Sequence, residues 1–462
     1  MSPQTGRFPM EPTSSGPQAP ALGDLEARLH EQELSVDASL EHAESPEARG
    51  HRLTMGVLLA VVGVLLGVLS LYTHGPASFS LSDALATVKL PTFSLPGVAA
   101  VAAGAVLCLL AAAALFVKGV PPKLRVVLNV LAGLAFVIGF LAWAATSQKV
   151  TAGNAPMPFQ VSNQFAGMMA YATPLILGAL AGVMGENAGV VNVAIEGQFL
   201  TGAFSAALVG TLTKSITAAL IAGMVTGVLM GVLLALFSIK YLVDQVVLGV
   251  VLNLFATGLT GFLYTQFMST NAQRYNLSPV MAKIPIPGLS KIPFLGPIIF
   301  DQTILAYLAL VCIPLVWFLL YRTKWGLHVR AVGEHPEAAD TVGLNVRAIR
   351  WQAVLVGGLL AGLGGTFFTV GSTGGFVKGI SSGYGFIALA ALIMGRWKPG
   401  LAALMALFFG FVAQLAGQVQ TLGTPVNSQF LLILPYVATI IAVAGLVGRV
   451  VAPKADGVNY VK

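Results

Sequence analysis

Charge is scarce in this 462-residue chain: Asp, Glu, Lys and Arg together make up 9% of it, where soluble domains carry about a quarter. A water-soluble globular protein is excluded on that ground. Cysteine is scarcer still. Cys108 and Cys312 are the whole complement, and both sit inside apolar runs, so neither a disulfide framework nor a metal site is supported. The six histidines are scattered over tails and loops, and no Ser/His/Asp or zinc-ligand spacing stands out, which argues against an enzyme. No G-x-x-x-x-G-K-[ST] phosphate loop occurs. The chain therefore has no phosphate cradle of its own, and any movement driven by ATP needs a separate ATPase.

Hydrophobic residues instead reach 56%, and the mean hydropathy is +0.83. Apolar runs of about 20 residues recur, the length that crosses a hydrocarbon core as helix. They do not alternate in polarity as barrel strands would. The expected fold is all-α, a polytopic transmembrane bundle of about 10 to 12 spans. The net charge of +7 hides an asymmetry, because residues 1–50 hold three basic and nine acidic residues and the remainder 22 basic and nine acidic. The basic excess fits cytoplasmic loops and anionic lipid headgroups rather than nucleic acid.

Four segments follow from composition. Residues 1–50, rich in Pro, Ser, Glu and Ala, read as a disordered acidic arm, with 25–40 a marginal amphipathic helix. Residues 51–160 hold about three spans, residues 161–450 the core, and residues 451–462 a tail. Short loops rich in Lys and Arg stay in the cytoplasm. Arg49 and Arg52, then Lys118, Lys123 and Arg125, then the loop 322–350, then Arg396 and Lys398, then Arg449, Lys454 and Lys462 all fall on one side at alternate turns. Both termini are then cytoplasmic, in a plasma membrane. Arg274, Lys283 and Lys291 count against the rule, in the longest outer loop. The core spans read roughly 165–184, 193–211, 217–237, 244–266, 303–321, 351–370, 384–395, 400–416 and 429–448. The segment at 384 is short enough to be broken or re-entrant.

The loop 322–350 carries Arg322, Lys324, Arg330, Arg347 and Arg350. Within it Pro336 suits a first helical position, Glu337 faces the positive end of the helix dipole, Ala338 and Ala339 favour helix, and Gly343 supplies a left-handed stop. A helix of about two turns is predicted there. A second polar stretch, residues 185–198, contains Glu186, Asn192, Glu196 and Gln198 among glycines. It reads either as a bent start of a pathway-lining helix or as a turn whose carboxylates cap helices. Gln245 and Asn253 lie eight residues apart, close to one helix face, and either look into a solute groove or bond between helices. The Gly-rich run after Gly371 includes Phe376, which either stacks on a base or sugar or anchors the helix end. Together with the stretch near 182 it suggests an inverted repeat. Gly223, Gly227 and Gly231 are spaced for close helix packing.

Glu337-Ala338-Ala339-x-x-x-Gly343, in a late loop of a polytopic chain, resembles the coupling loop of the permease subunit of ABC importers. The wider text AVGEHPEAADTVGLNVRAIRWQAVLVGGLLAGLGG, and VMGENAGVVNVAIEGQFLTGAF at 183–204, resemble the simple-sugar and nucleoside (ribose-type) branch of those permeases, and the nucleoside side fits best. The likeness runs roughly from Tyr171 to Gly448. It implies alternating access driven by a separate ABC ATPase that uses ATP and Mg. It also implies a second permease subunit, commonly a different one, and an extracytoplasmic solute-binding protein. The rivals are a simple-sugar importer of the same fold, an ion-coupled secondary transporter using Glu196 or Asp244, and a structural membrane protein.

Overall fold

The computed structural model describes residues 46–82, 89–117, 120–148, 158–424, 426–441 and 451–461. The expected arm up to residue 45, its amphipathic segment 25–40 and the last residues of the final span, 442–448, lie outside the described residues. Thr54–Lys462 forms one compact unit.

Helix α1 (Pro46–Leu71) leads into strands β1 (Pro76–Ser80) and β2 (Thr92–Pro96), followed by α2 (Gly97–Phe116) and α3 (Pro122–Thr146). Strand β3 (Phe159–Gln160) precedes α4 (Val161–Glu186), α5 (Ile195–Thr213), α6 (Ile216–Ala235) and α7 (Gln245–Leu263). After β4 (Lys283–Pro285) and β5 (Asp301–Thr303) come α8 (Ile304–Arg322), α9 (Lys324–Glu334), α10 (Pro336–Thr341) and α11 (Val346–Gly365). The described bundle closes with α12 (Tyr384–Met394), α13 (Pro399–Thr421) and α14 (Ser428–Ile441). Among the described residues nine helices are long and apolar enough to cross a membrane, and two shorter apolar ones start at Tyr384 and Gln429. Helix α5 is 19 residues long but falls outside the nine, since Glu196, Gln198, Thr201 and Ser205 dilute its apolar character. The chain is a multi-pass membrane protein, an all-α bundle as expected. Two features were not anticipated: α9, in what read as a loop, and the short strands.

Polar caps fix where helices begin. Ser215, Asp244, Thr303, Thr323 and Asn345 each accept a hydrogen bond from a backbone N–H in the following first turn, satisfying donors that a helix start leaves open.

The centre belongs to α4, α5 and α11. The most apolar stretches of α4 and α11 are 78% buried by protein, against 28% for α1, so the former pair is enclosed by the chain and the latter lies on its outside. Helices α5, α6 and α11 cross on glycine. A Cβ at Gly362 would stand 2.2 Å from the Gly223 carbonyl oxygen, and one at Gly227 2.2 Å from that of Gly358. Backbone cannot yield as a side chain does, so Gly362→Ala is expected to cost about 1–3 kcal/mol. A lowered thermal unfolding midpoint in detergent checks this, and an unchanged midpoint refutes it.

The first three helices are joined to the core at one end of the bundle. Strand β1 pairs antiparallel with β2 and parallel with β3, with Phe79 opposite Phe159. Their buried rings continue into an apolar cluster that includes Cys108 of α2, Trp143 of α3, Leu415, Ala416 and Val419 of α13, and Leu431 of α14.

Candidate functional site

Helix α10 forms where the sequence predicts it, six residues long with Pro336 in its first turn. The Leu344 N–H bonds to the Ala339 carbonyl and the Gly343 N–H to that of Asp340, at 3.1 and 2.9 Å. Gly343 turns left-handed with φ of +86°. This paired closure, with glycine in the left-handed position, is the commonest way to end a helix. Ala339 is buried beneath the helix, while Glu337, Ala338, Thr341, Val342 and Gly343 are exposed. A knob of small side chains results, with one carboxylate in its first turn.

Helix α9 carries that knob and rests on the polar stretch. Gly333, two residues before the His335 corner, lies so close to the Asn187 carbonyl that a Cβ would come within 2.1 Å of its oxygen. Any shift of α10 that carries Gly333 with it is therefore delivered to residues 187–194, the turn between α4 and α5.

That turn is clamped from two sides. Gln245 accepts a 2.7 Å bond from the Val191 N–H, and Asn253 donates to the Val193 carbonyl and accepts from the Gly197 N–H, at 2.9 and 2.8 Å. The two amides share one face of α7, and both bond backbone, Gln245 through its Oε1 and Asn253 through both its oxygen and its nitrogen. At the end of α4, Glu186 accepts a 2.5 Å bond from the Trp397 indole, and Asn187 donates to the Trp397 carbonyl at 3.2 Å. Arg396 and Trp397 both turn left-handed, with φ of 52° and 55°, a conformation costing about 1–3 kcal/mol each that surrounding contacts must hold.

Within the turn, Asn192 donates to Gln198 at 3.1 Å. Both side chains are buried, yet the Asn192 Oδ1 and the Gln198 Nε2 have no hydrogen-bond partner. One free acceptor thus stands beside one free donor. Leaving such groups unmet costs about 1–3 kcal/mol apiece, so the pair favours a polar visitor.

Glu196 occupies a different position. Its Oε1 accepts from the Ser381 hydroxyl and the Gly383 N–H at 2.5 and 2.8 Å, and its Oε2 from the Gly385 N–H at 2.7 Å. Glu196 lies in the first turn of α5, and these donors surround the start of α12. Two helix N-termini, each partly positive, meet at one carboxylate. The meeting point is deep in the bundle. Helix α12 has 11 residues, about 16 Å of helix, roughly half of a hydrocarbon core. It runs beside the second half of α4, with Ala388 against Gly178 and Leu392 against Gly182. The short segment at 384 is thus a half-length helix that starts near mid-depth.

Phe376 lies elsewhere, packed against Phe204 and Tyr264 with ring centroids 5.3 and 6.0 Å away. Asn276 holds both its backbone N–H and its carbonyl. Phe204 is eight positions beyond Glu196 on α5, so Phe376 stands about 12 Å further along that helix. Asp244 is an exposed helix cap bonded to the Val247 N–H. Sequence reasoning missed Ser381, Trp397 and the tail beyond Ala455, because nothing in their local text marks them as partners of residues some 100 to 270 positions away.

A protein-family profile described as "Branched-chain amino acid transport system / permease component" matches residues 164–443. The chain is 41% identical to the nucleoside ABC transporter permease protein NupC of Lactococcus lactis, over 64% of its own length and 96% of the relative. It is 41% identical to the guanosine ABC transporter permease protein NupQ of Bacillus subtilis, over 64% of its length and 95% of that protein. Against the putative glucose ABC transporter permease protein TsgC13 of Haloferax volcanii it is 34% identical, over 58% of its length and 87% of the relative. No solved structure matches.

Proposed function

The chain belongs to this family of transport-system permease components, and from that premise we propose that it is the membrane-spanning subunit of an ATP-driven importer of nucleosides or a related small polar solute. It is a transport subunit and not an enzyme. In this reading ATP and Mg are bound and used by a separate ABC ATPase that grips α10. A solute-binding protein delivers cargo at the opposite face, and a second permease subunit, commonly a different one, completes the pathway. In this reading the face bearing α10, the 187–194 turn and the Arg396 turn is cytoplasmic, which the clustering of Lys and Arg supports, and the membrane is the plasma membrane.

One observation carries this reading: an exposed knob is joined through Gly333 to a turn whose Asn192 holds an unsatisfied acceptor, next to the unsatisfied donor of Gln198 in the first turn of α5. Alternating access needs such a link, since the partner's stroke must change what the solute meets. Asn192 and Gln198 are the residues we assign to solute contact. A neutral solute with hydroxyls and ring nitrogens presents the complementary donors and acceptors. Glu196 and Phe376 we assign to bracing the pathway, and Gln245 and Asn253 to shaping it. The ion-coupled alternative names Glu196 and Asp244 as its sites, and both are engaged with helix starts.

Uptake by vesicles holding the assembled complex tests the proposal. Radiolabelled guanosine should enter with ATP and not with an imposed ion gradient alone; entry driven by the gradient overturns it. Glucose is the second substrate class, favoured by the 34% identity to TsgC13; competition by glucose but not guanosine would select it. Asn192→Leu, which removes the free acceptor at similar size, is expected to lower uptake about tenfold at limiting solute. Unchanged uptake would remove Asn192 from the solute path.

A further inference from the structure

The end of the chain is folded onto the same face as α10. The Ala455 N–H bonds to the Gly333 carbonyl at 2.9 Å. Arg350, in the first turns of α11, donates from Nη1 to the Val458 carbonyl at 2.9 Å, and Asn459 donates to the Leu242 carbonyl, between α6 and α7, at 2.6 Å. The Ala455 carbonyl covers Gly189, and Gly457 lies over the Val191 side chain. Ala455 and Tyr460 are buried, and Tyr460 joins the apolar cluster of α4, α9 and α11. One short segment therefore ties together the end of α9, the 187–194 turn, the α6–α7 connection and the start of α11.

These are the parts that must shift against one another if α10 drives the turn. Gly333 cannot move relative to Leu242 without breaking a bond to the tail. Arg350 is only 2% exposed, and its Nε and Nη2 have no hydrogen-bond partner. The Asp456 carboxyl of the tail lies close enough to feel the Arg350 charge: burial pushes it above the usual carboxylate range, and the guanidinium and a hydrogen bond with Glu186 draw it part of the way back. A buried guanidinium without a counter-charge is costly. The tail thus gives Arg350 the Val458 carbonyl to bond and a carboxyl within electrostatic reach, and Arg350 in turn holds the tail.

We propose that residues 453–460 are a strap, with Arg350 as its positioning residue, that holds the knob and the 187–194 turn in the resting arrangement and must open for the transport stroke. The inference rests on the ATP-driven reading. A strap of this kind restrains the complex when no solute-loaded partner calls for turnover. Its loss should leave the transport machinery able to cycle, but idly.

The test uses the complex with its ATPase in lipid vesicles, comparing the full chain, a chain ending at Val450, and the full-length double variant Asn459→Ala/Tyr460→Ala, whose changes are confined to the tail. Two readouts are followed: hydrogen exchange over residues 186–194, and ATP hydrolysis without the solute-binding protein. Both variants are expected to exchange about tenfold faster over that turn and to raise idle hydrolysis about tenfold. Unaltered exchange in both variants overturns the strap, as the turn is then not held by the tail. Faster exchange with unaltered hydrolysis also overturns it, leaving the tail a mere cover. No hydrolysis by the unmodified complex overturns the ATP-driven reading, and that failure is distinguishable because it appears before any variant is made.

Discussion

Replacing Glu196 with alanine is expected to cost about 3–5 kcal/mol, since each buried donor left without its acceptor costs about 1–3 kcal/mol. Three donors, the Ser381 hydroxyl and the Gly383 and Gly385 N–H groups, would lose their acceptor at once. Water cannot readily replace the carboxylate. A Cβ on Gly385 would stand 2.4 Å from the Glu196 nitrogen, so the two backbones are already in contact. Glu196→Gln should be milder, about 1–3 kcal/mol. Its single oxygen can still serve Ser381 and Gly383, but its amide would face the Gly385 N–H, donor against donor. Thermal unfolding of the purified variants in detergent gives both values. An alanine variant as stable as the unmodified chain would mean that the two helix starts do not depend on this carboxylate.

Glu337→Arg is expected to lower ATP-driven uptake tenfold or more, while leaving membrane insertion intact and thermal stability within about 1 kcal/mol. The side chain is exposed, so the fold asks little of it. The reversed charge in the first turn of α10 opposes the dipole by about 0.3–1 kcal/mol, and a like charge on a docking partner would add several kcal/mol. Recovery of ATPase with the tagged permease and solute uptake are the measurements. If both are intact, α10 is not the docking element. If recovery is intact and only uptake falls, the knob transmits motion without setting affinity.

These variants separate two kinds of residue that look alike in the text. Glu196 and Glu337 are both glutamates in the first turn of a helix, and each sits in a stretch that resembles known permeases. One is buried with three donors and the other exposed with a free face. The first should therefore be read out as stability and the second as coupling.

Much of the architecture was legible because it follows from local chemistry. Apolar length set the spans, and most core boundaries fall within a few residues of expectation, as with 244–266 against Gln245–Leu263 extended by a π turn to Met268. Proline, alanine and glycine spacing set α10, because a helix start and a left-handed stop are properties of a few adjacent residues. The missing phosphate loop led to the expectation that any ATP chemistry lies on another chain. Helix α9 was hidden by its own charges, since a helix lying along a polar boundary need not be apolar. Partnership was what the text could not give. Hydrogen-bonding capacity is written in a side chain, but its partner is chosen by packing. Only the folded chain assigned Gln245 and Asn253 to the backbone of the 187–194 turn, left Asn192 and Gln198 with free polar atoms, brought Glu196 to the start of α12 near mid-depth, and laid the last residues across Gly333 and Arg350. Each of those contacts joins positions far apart in sequence, and no local rule of helix or turn connects them.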